Sequence, residues 1–439
     1  MKAEGYYERA LKLARAYGGK LMTLPKVPIR GMEDFSLLYT PGVAELSRRI
    51  NERPDDAFEL TYRWNTVGVI SDASRVLGLG KLAPEASLPV LEGKALLFRY
   101  LGGVDAIPLP LAVHEPEKLV EAVRALEPAL GGVNLEDIES PKCFYVLEQL
   151  RKSLSIPVWH DDQLGTAGVV LAALYGALDL AGLSLSECKI ALVGAGAANI
   201  ATARLLEEAG APPSNLILVD SRGILHPERE DMDGLLLRNP WKYELALKTN
   251  GERRKGGIRE ALRGCHVLIA ASRPGPGIIH PTWLAEMARP FIIFALANPV
   301  PEIDPQEALG AGAVAVATAR SDYPNQVNNS LLFPSIFRGA LDVRARAITE
   351  EMVVVAAKEI YAYTKQTGLR SDRIVPSMMD WEVYPRVAAA VGAFASEHGL
   401  ARRPLSREEL FSSAQEQIVK VRRMMEALMN AGLLEAGVG

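Results

Sequence analysis

Apolar residues along the first third of this 439-residue chain come in short runs, separated by segments with helical spacing. This pattern predicts a helix, two strands and a second helix, in the order 2–18, 66–70, 95–100 and 115–126. A further extended segment at 37–40 is predicted to end at Pro41 and Gly42, where the next helix begins. Alternating strands and helices are typical of an α/β domain with a mostly parallel sheet.

The spacing becomes more regular from about residue 164 onward, where a helix rich in small residues is predicted over 165–181. Short buried strands are predicted to follow it at 188–193, 215–219, 266–271, 291–297 and 313–318. Segments of helical length separate these strands. This alternation predicts a doubly wound nucleotide-binding domain.

The chain is predicted to be mostly helical after about residue 348, with Ser406 capping a final helix that runs to about residue 428. The fold class is therefore α/β, and the chain is expected to have three parts. They are an N-terminal α/β catalytic domain over 1–163, a Rossmann-type NAD(P)-binding domain over 164–345 and a helical extension over 346–439 that packs on both.

Composition is that of an ordinary globular protein, with 49% hydrophobic and 23% charged residues. The formal net charge of −4 argues against nucleic acid as a partner, because a surface that follows phosphates is normally basic. The three cysteines form no C-x-x-C pair, which fits a reducing compartment and excludes a disulfide framework. Since there is no apolar signal region and no run of membrane-spanning length, we expect a cytoplasmic protein without a membrane partner.

A glycine-rich turn joins the predicted strand at 188–193 to the helix that follows it. Gly194 allows the tight turn, and Gly196 lets the backbone approach a pyrophosphate held at the helix N-terminus beside Ala197. Asn199 departs from the pattern, which expects Gly or Ala there for close packing of helix on strand. The turn predicts a dinucleotide site that includes Gly194, Gly196 and Ala197.

The end of the next predicted strand bears on which dinucleotide binds. Asp220 stands there, and an acid at this point suits a ribose 2′-hydroxyl and therefore NAD. Arg222, two residues later, suits a 2′-phosphate and therefore NADP. These residues favour NAD and leave NADP open.

Two pairs of adjacent carboxylates point to a divalent cation. Asp161 and Asp162 end a short apolar run just before a long helical pattern, and Glu136 and Asp137 stand a little upstream. Carboxylate oxygens are the ligands that Mg²⁺ or Mn²⁺ prefers, and two or three of them suffice. Acidic pairs also occur at helix starts because the dipole favours them there, so each pair alone leaves both interpretations open. His160 is interpreted as a neighbour, since an oxygen-rich site does not favour imidazole.

Motifs that run from about Asp34 to Arg386 make the chain resemble the malic enzymes, the oxaloacetate-decarboxylating malate dehydrogenases, in their short bacterial form. They are YTPGVA at 39–44, VLGLG at 76–80, LEGKA at 91–95, NLED at 134–137, HDDQ at 160–163, ANP at 297–299 and SDYPNQVNN at 321–329. The resemblance implies metal-dependent oxidation and decarboxylation of malate to pyruvate and CO₂, with reduction of NAD or NADP. It also implies a homo-oligomer, at least a dimer.

Carried over position by position, the resemblance implies that Glu136, Asp137 and Asp162 bind the metal, with Asp161 beside it. Lys94 matches the family's catalytic lysine. A lysine acts as a general base only when its pKa is lowered toward neutrality, and burial and a neighbouring dication both act in that direction. The sequence places Lys94 at the start of the predicted strand at 95–100.

Tyr39 matches the family's catalytic tyrosine, which would protonate the enol carbon after CO₂ leaves. Asn298 and Asn329, helped by Asn328, match the asparagines around the substrate and the nicotinamide. Arg75 stands where eukaryotic members place an arginine that binds a substrate carboxylate, although bacterial members usually carry a small residue there. A surface arginine is the equally weighted alternative for Arg75.

Two further departures from the family pattern, Leu164 and Ala73, remove no metal ligand or proton-transfer group but bear on local loop shape and substrate preference. Two other functions stay open at this stage. A malolactic enzyme would share the metal ligands, the catalytic residues and the nucleotide-binding domain, but would retain the nicotinamide and release lactate. A regulatory protein would bind nucleotide or metal without turnover, although Tyr39, Lys94 and the three carboxylates speak against it.

Overall fold

The computed structural model describes residues 3–76 and 78–434. Residue 2 of the predicted first helix and Leu77 of the VLGLG motif lie outside the described residues. The helices are α1 (Ala3–Tyr17), α2 (Met32–Leu38), α3 (Gly42–Glu52), α4 (Ala57–Leu60), α5 (Leu88–Gly102), α6 (Pro116–Leu126), α7 (Lys142–Ser153), α8 (Thr166–Ala181), α9 (Ala197–Glu208), α10 (Met232–Arg238), α11 (Pro240–Lys248), α12 (Ile258–Leu262), α13 (Pro305–Gly310), α14 (Phe333–Asp342), α15 (Glu350–Gly368), α16 (Val383–Glu397) and α17 (Arg407–Asn430). The strands are β1 (Thr66–Ser71), β2 (Asp105–Pro110), β3 (Gly132–Leu135), β4 (Val158–His160), β5 (Ile190–Val193), β6 (Leu216–Asp220), β7 (Gly223–Ile224), β8 (Val267–Ala270), β9 (Ile292–Ala295) and β10 (Ala315–Thr318).

The first sheet is parallel and has the strand order β2-β1-β3-β4. Ile70 of β1 pairs with Leu135 of β3, and Leu135 pairs with His160 of β4. The residues that follow these three strands therefore leave the sheet at one edge. Both carboxylate pairs predicted to bind metal lie at this edge.

The second sheet has the order β10-β9-β8-β5-β6-β7, with β7 antiparallel to β6 and all other pairs parallel. From β5 the chain passes to β6 on one side, and later to β8 on the other. In a doubly wound sheet such a change of direction opens a crevice at the carboxyl ends of the strands, where ligands bind. The predicted α/β fold with a doubly wound domain is confirmed.

A long apolar helix connects the two sheets. The segment Asp161–Ala181, which includes α8, is long and apolar enough to cross a membrane by length and composition. However, 72% of its apolar 18-residue stretch is buried inside the protein. α8 packs against α9 and α15, as is typical of a core helix.

Two predictions of secondary structure are wrong. The run at 95–100 belongs to α5, whose buried residues recur at helical spacing: Leu91, Lys94, Ala95, Phe98, Leu101 and Gly102. Pro89 lies in the first turn, and Gly103 ends the helix in the left-handed conformation. The segment at 37–40 is likewise not extended, since α2 runs to Leu38. By contrast, Ser406 caps α17 as predicted, with its side chain accepting from the amide of Glu409.

The N-terminal arm, residues 5–53, packs little against the rest of the chain. None of its residues is buried. Polar contacts join it to the rest of the chain, such as the ion pair of Lys26 with Asp105 at 2.9 Å. The arm nevertheless carries many exposed large apolar side chains: Tyr6, Tyr7, Leu11, Tyr17, Leu21, Met22, Leu24, Val27, Ile29, Met32, Phe35, Leu37, Leu38, Tyr39 and Leu46.

Candidate active site

Three carboxylates meet at the edge of the first sheet. Glu136 and Asp137 follow β3, and Asp162 comes two residues after β4. One ligand atom from each lies within 4.8 Å of the others, and Glu136 and Asp137 are buried. Because β3 and β4 are adjacent and parallel, residues far apart in sequence converge here.

Hydrogen bonds hold two of the three carboxylates, those of Asp162 and Glu136, in place. The Asp137 amide donates to Asp162 Oδ2 at 3.0 Å, and Asn134 Nδ2 donates to Glu136 Oε2 at 3.0 Å. Asp137 adopts a φ of 54°, which few non-glycine residues adopt. Three hard oxygen donors in a buried cluster fit Mg²⁺ or Mn²⁺ and leave room in an octahedron for other ligands.

Lys94 lies against this cluster from α5. Its ammonium contacts the Asp161 carboxylate and lies 3.1 Å from Glu136 Oε1, and its side chain is 8% exposed. The ring centroid of Phe333 lies 4.5 Å from Nζ. Burial lowers the pKa of Lys94, but the negative charges of Asp161 and Glu136 outweigh it, so the pKa is raised. The lowered pKa expected for Lys94 therefore does not arise from the protein alone.

Asp161 contacts Lys94 and is not one of the three clustered carboxylates. It is fully buried, and its Oδ1 accepts from Trp159 Nε1 at 2.9 Å while its other oxygen contacts Lys94. A Cβ at Gly165 would lie 2.1 Å from Asp161 Oδ1, so only glycine fits there. The hydrogen bond from Trp159 could not be predicted from the sequence, because indole and carboxylate meet only once the turn at Asp161–Gly165 has formed.

His160 is buried beside these residues, and neither ring nitrogen has a hydrogen-bond partner among the described residues. Burial lowers the pKa of His160, so the neutral imidazole is favoured. Nothing in this arrangement gives it a role in proton transfer.

Metal affinity should depend on pH because of Glu136. Burial raises the pKa of this carboxyl well above its ordinary value, and the neighbouring acids Asp161, Asp162 and Asp137 raise it further while Lys94 opposes them. A ligand must lose its proton to bind metal, so the apparent Kd for Mn²⁺ should fall as pH rises, by up to about tenfold per unit if one proton is released. Calorimetric titration with Mn²⁺ over a pH series measures this slope. Glu136→Gln should flatten it, and a flat slope in the unmodified protein would contradict the assignment.

The three predicted asparagines differ in where they lie relative to the acidic turn at Asp161–Gly165. A Cβ at Gly165 would lie 3.1 Å from the Asn329 Cβ, which places Asn329 beside the acidic turn. Asn328 accepts from the amide of Ser330 at 2.9 Å and so caps a short helix. Asn298 is exposed after β9, and its carbonyl oxygen would lie 3.5 Å from a Cβ at Gly78 of the first domain.

Arg75 and Tyr39 differ in how they relate to the carboxylates. The Arg75 amide donates to the Asp137 carbonyl at 3.0 Å, so the loop that carries Arg75 is joined to the segment that contains Glu136 and Asp137. Tyr39 lies in the N-terminal arm with 71% of its surface exposed. Within the described ranges, no hydrogen bond links Tyr39 to Lys94 or to the clustered carboxylates.

The predicted dinucleotide turn lies at the crevice of the second sheet. Gly194 has a φ of 95°, and a Cβ there would lie 2.4 Å from the Ala271 carbonyl oxygen. Gly196 caps α9, whose first residue is Ala197. Asn199 is buried and donates to the Val193 carbonyl at 3.0 Å, so the larger side chain is accommodated by a hydrogen bond to the strand.

A cavity of about 510 Å³ opens beside this turn. Its lining includes Val193, Gly194, Asp220, Ser272 and Arg273. It is large enough for part of a dinucleotide.

Asp220 is held at the rim of the cavity by two cations that the sequence analysis missed. Its Oδ1 accepts from Arg229 at 3.0 Å, and its Oδ2 lies 3.3 Å from Lys242 Nζ. Arg222 instead pairs with Asp231 at 3.3 Å, and its side chain is exposed. No sequence spacing pointed to Arg229 or Lys242, because the loop and α11 that carry them approach β6 only in the folded chain.

Together, the nucleotide crevice and the acidic cluster with its buried lysine define an α/β oxidoreductase with a separate nucleotide-binding domain. Family models agree with this class. One described as the malic enzyme NAD-binding domain matches residues 164–396, and one described as the malic enzyme N-terminal domain matches residues 18–119.

Relatives and solved structures cover most of the chain. The bifunctional malic/malolactic enzyme of Bacillus subtilis is 45% identical over 92% of this chain and 96% of its own. The crystal structure of the Entamoeba histolytica malic enzyme has a TM-score of 0.93 at 41% identity, covering 97% of this chain and 89% of that one. The malic enzyme of Pyrococcus horikoshii Ot3 has a TM-score of 0.92 at 47% identity, covering 96% and 98%. The chain belongs to the malic enzyme family.

Proposed function

We propose that this protein oxidises malate and decarboxylates it to pyruvate and CO₂, with a divalent metal and NAD(P). The contact of Lys94 with Glu136, itself one of three clustered carboxylates, carries the proposal. It sets a proton-transfer group directly beside the metal ligands. Malate would bind beside them, with its hydroxyl near Lys94 and one carboxylate near the three acids.

Glu136, Asp137 and Asp162 would hold the ion. A bound dication would supply Lewis-acid stabilisation for the substrate oxygens, and a bound nicotinamide would accept the hydride. Lys94 would take the hydroxyl proton of malate. A bound dication would offset the charge of Glu136. Because that charge helps to raise the pKa of Lys94, its loss would favour the free amine.

The other residues would bind and orient the substrates. Arg75 would hold one malate carboxylate through paired hydrogen bonds. Asn298, Asn328 and Asn329 would position substrate and nicotinamide near the acidic turn. Gly194, Gly196 and Ala197 would bind the pyrophosphate at the start of α9. Asp220 would accept from the ribose hydroxyls, which favours NAD, although its two cations weaken its repulsion of a 2′-phosphate.

An assay of the purified protein with malate, Mn²⁺ and either NAD or NADP tests this function. We expect pyruvate and reduced cofactor in equal amounts, with a higher kcat/KM for NAD. Release of lactate without net reduction would favour malolactic activity, which the name of the Bacillus subtilis relative includes. Cofactor binding without release of CO₂ would favour a regulatory protein.

The arm also bears on oligomeric state. Many of its large apolar residues, Tyr39 among them, are exposed to solvent in one chain, and large apolar patches normally mark interfaces. We therefore propose a homodimer, or a higher oligomer built from it, in which the arm of one copy lies against the other. Tyr39 would then reach the Lys94 site of the partner copy and protonate the enol carbon there.

Tyr39→Phe should slow pyruvate formation more than the hydride step. Because the phenol acts only after CO₂ has left, rapid-mixing experiments should give near-normal reduction of the cofactor in the first turnover. Equal losses in both steps would remove Tyr39 from this role.

Mixing the Tyr39→Phe and Lys94→Ala chains tests whether the site is shared. In a shared site each mixed dimer regains one intact pair, so a mixture refolded in equal amounts should recover about a quarter of normal activity. No recovery would indicate a site within one chain, and a monomer by light scattering would reject the dimer.

The division into domains at 163 and 345, and the cytoplasmic location, are also part of this proposal.

A further inference from the structure

Lys142, the first residue of α7, lies where the carboxyl ends of three strands meet. Its ammonium contacts the carboxylate of Asp72, which follows β1. It also lies 3.3 Å from the carbonyl oxygen of His114, beyond β2, and 3.5 Å from Glu139 Oε1, beyond β3. Asp72 is fully buried. Neither Lys142 nor Asp72 has a part in the chemistry proposed above.

The pair anchors the loop that carries Arg75. Asp72 Oδ1 accepts from the amide of Ser74 at 3.0 Å and from its hydroxyl at 2.6 Å. Ser74 Oγ in turn accepts from the amide of Glu139 at 2.9 Å. This chain of bonds joins the loop after β1 to the segment after β3, which contains the proposed metal ligands.

The loop also carries backbone strain. Ala73 is fully buried with a φ of 56°, a conformation that alanine rarely adopts. Its amide donates to Ser71 Oγ at 2.9 Å, and its carbonyl accepts from Leu82 at 3.0 Å. The loop therefore depends on its surroundings to keep this shape.

The Arg75 side chain differs from the rest of the loop. It is exposed, and among residues 3–76 and 78–434 its guanidinium takes part in no ion pair or side-chain hydrogen bond. Only its backbone is fixed, by the bond to the Asp137 carbonyl. A long, unpaired cation on an anchored backbone suits capture of an anion that arrives from solvent.

We propose that Asp72 and Lys142 are positioning residues that set Arg75 at a fixed distance from Glu136 and Asp137, so that both ends of a dicarboxylate are bound at once. This rests on the function proposed above. Holding two reacting ends in register lowers the entropic cost of binding, and a displacement of about 1 Å can cost up to roughly 100-fold in rate. Without Lys142, Asp72 would be a buried charge with no cation, and the loop would move.

A double-mutant cycle tests the proposal. Lys142→Met should raise the KM for malate about tenfold or more, with a smaller change in kcat and none in the KM for NAD. In an Arg75→Ala background, Lys142→Met should add nothing to the KM for malate, because the residue it positions is gone. An independent, additive increase in that background would overturn the proposal. Lys118→Met, an exposed lysine of α6 with a side chain 66% exposed, is the matched control.

Hydrogen exchange of the metal-free protein provides a readout that does not need turnover. Lys142→Met should speed exchange at the amides of Ser74 and Arg75 and leave those of β5 unchanged. Unchanged protection at Ser74 and Arg75 would overturn the positioning role whatever the activity assay shows. If Lys142→Met does not fold, the Asp72→Asn/Lys142→Met pair removes both charges and should show the same local loss of protection. Failure of the unmodified protein to turn over malate would reject the proposed function and leave this exchange test intact.

Discussion

Lys94→Ala should lower kcat by roughly 10²- to 10⁴-fold, the range that a positioned general base contributes. The reason is that no other described lysine contacts the carboxylate cluster, and His160 has no partner with which to relay a proton. Steady-state rates with malate, Mn²⁺ and NAD measure the loss. The KM for NAD should change little, because the cofactor crevice lies at the second sheet.

Lys94→Arg separates the charge of this residue from its role as a base. Arginine keeps a cation near Asp161 but does not lose its proton in proteins, so this variant should be about as slow as Lys94→Ala. Lys94→Arg should also be more stable than Lys94→Ala, since Asp161 is buried and needs a positive partner. Near-normal turnover by Lys94→Arg would show that the charge alone is required and would contradict general-base catalysis.

Asp162→Asn should abolish turnover that depends on metal and weaken Mn²⁺ binding by at least about 100-fold, because one of three charged ligands is lost. The asparagine can still accept the Asp137 amide, so the local turn is kept. Isothermal titration with Mn²⁺ measures the affinity, and activity over a wide range of Mn²⁺ shows whether excess metal rescues the rate.

Stability distinguishes this loss from misfolding. Asp162 is among the charges that raise the pKa of Glu136, so its neutralisation removes repulsion within the metal-free cluster. The Tm of the metal-free Asp162→Asn variant should therefore equal or exceed that of the unmodified protein. Glu117→Gln, an exposed carboxylate of α6, should change neither the affinity nor the Tm. Normal turnover by Asp162→Asn would remove this residue from the metal site.

The two carboxylate pairs could be recognised from the sequence as candidate metal ligands, and the family resemblance implied the set Glu136, Asp137 and Asp162. No strand was predicted before Glu136, so their meeting at one edge of a sheet is a finding of the structure. Strands such as β3 and β4 are short apolar runs, and residues that follow adjacent parallel strands meet at the same edge. The glycine-rich turn could be predicted from the sequence, since Gly194 must adopt a conformation that other residues avoid.

Other features depended on contacts that no local pattern contains. The run at 95–100 is apolar enough for a buried strand or a buried helix, and its packing against α14 goes with the helix. The raised pKa of Lys94 could not be predicted, because no local pattern shows that the Asp161 carboxylate contacts Lys94 of α5. The exposure of Tyr39 could not be predicted from the motif that contains it, because the motif does not show how the N-terminal arm packs.

The contact of Lys94 with Asp161 and Glu136 has a consequence for how the enzyme is made. Some small metalloproteins fold only when their ion binds, and clustered carboxylates also repel each other when no ion is bound. Here a covalently attached ammonium already offsets part of that repulsion. Newly synthesised polypeptide should thus reach its mature shape in a chelator-treated extract and accept its ion afterwards.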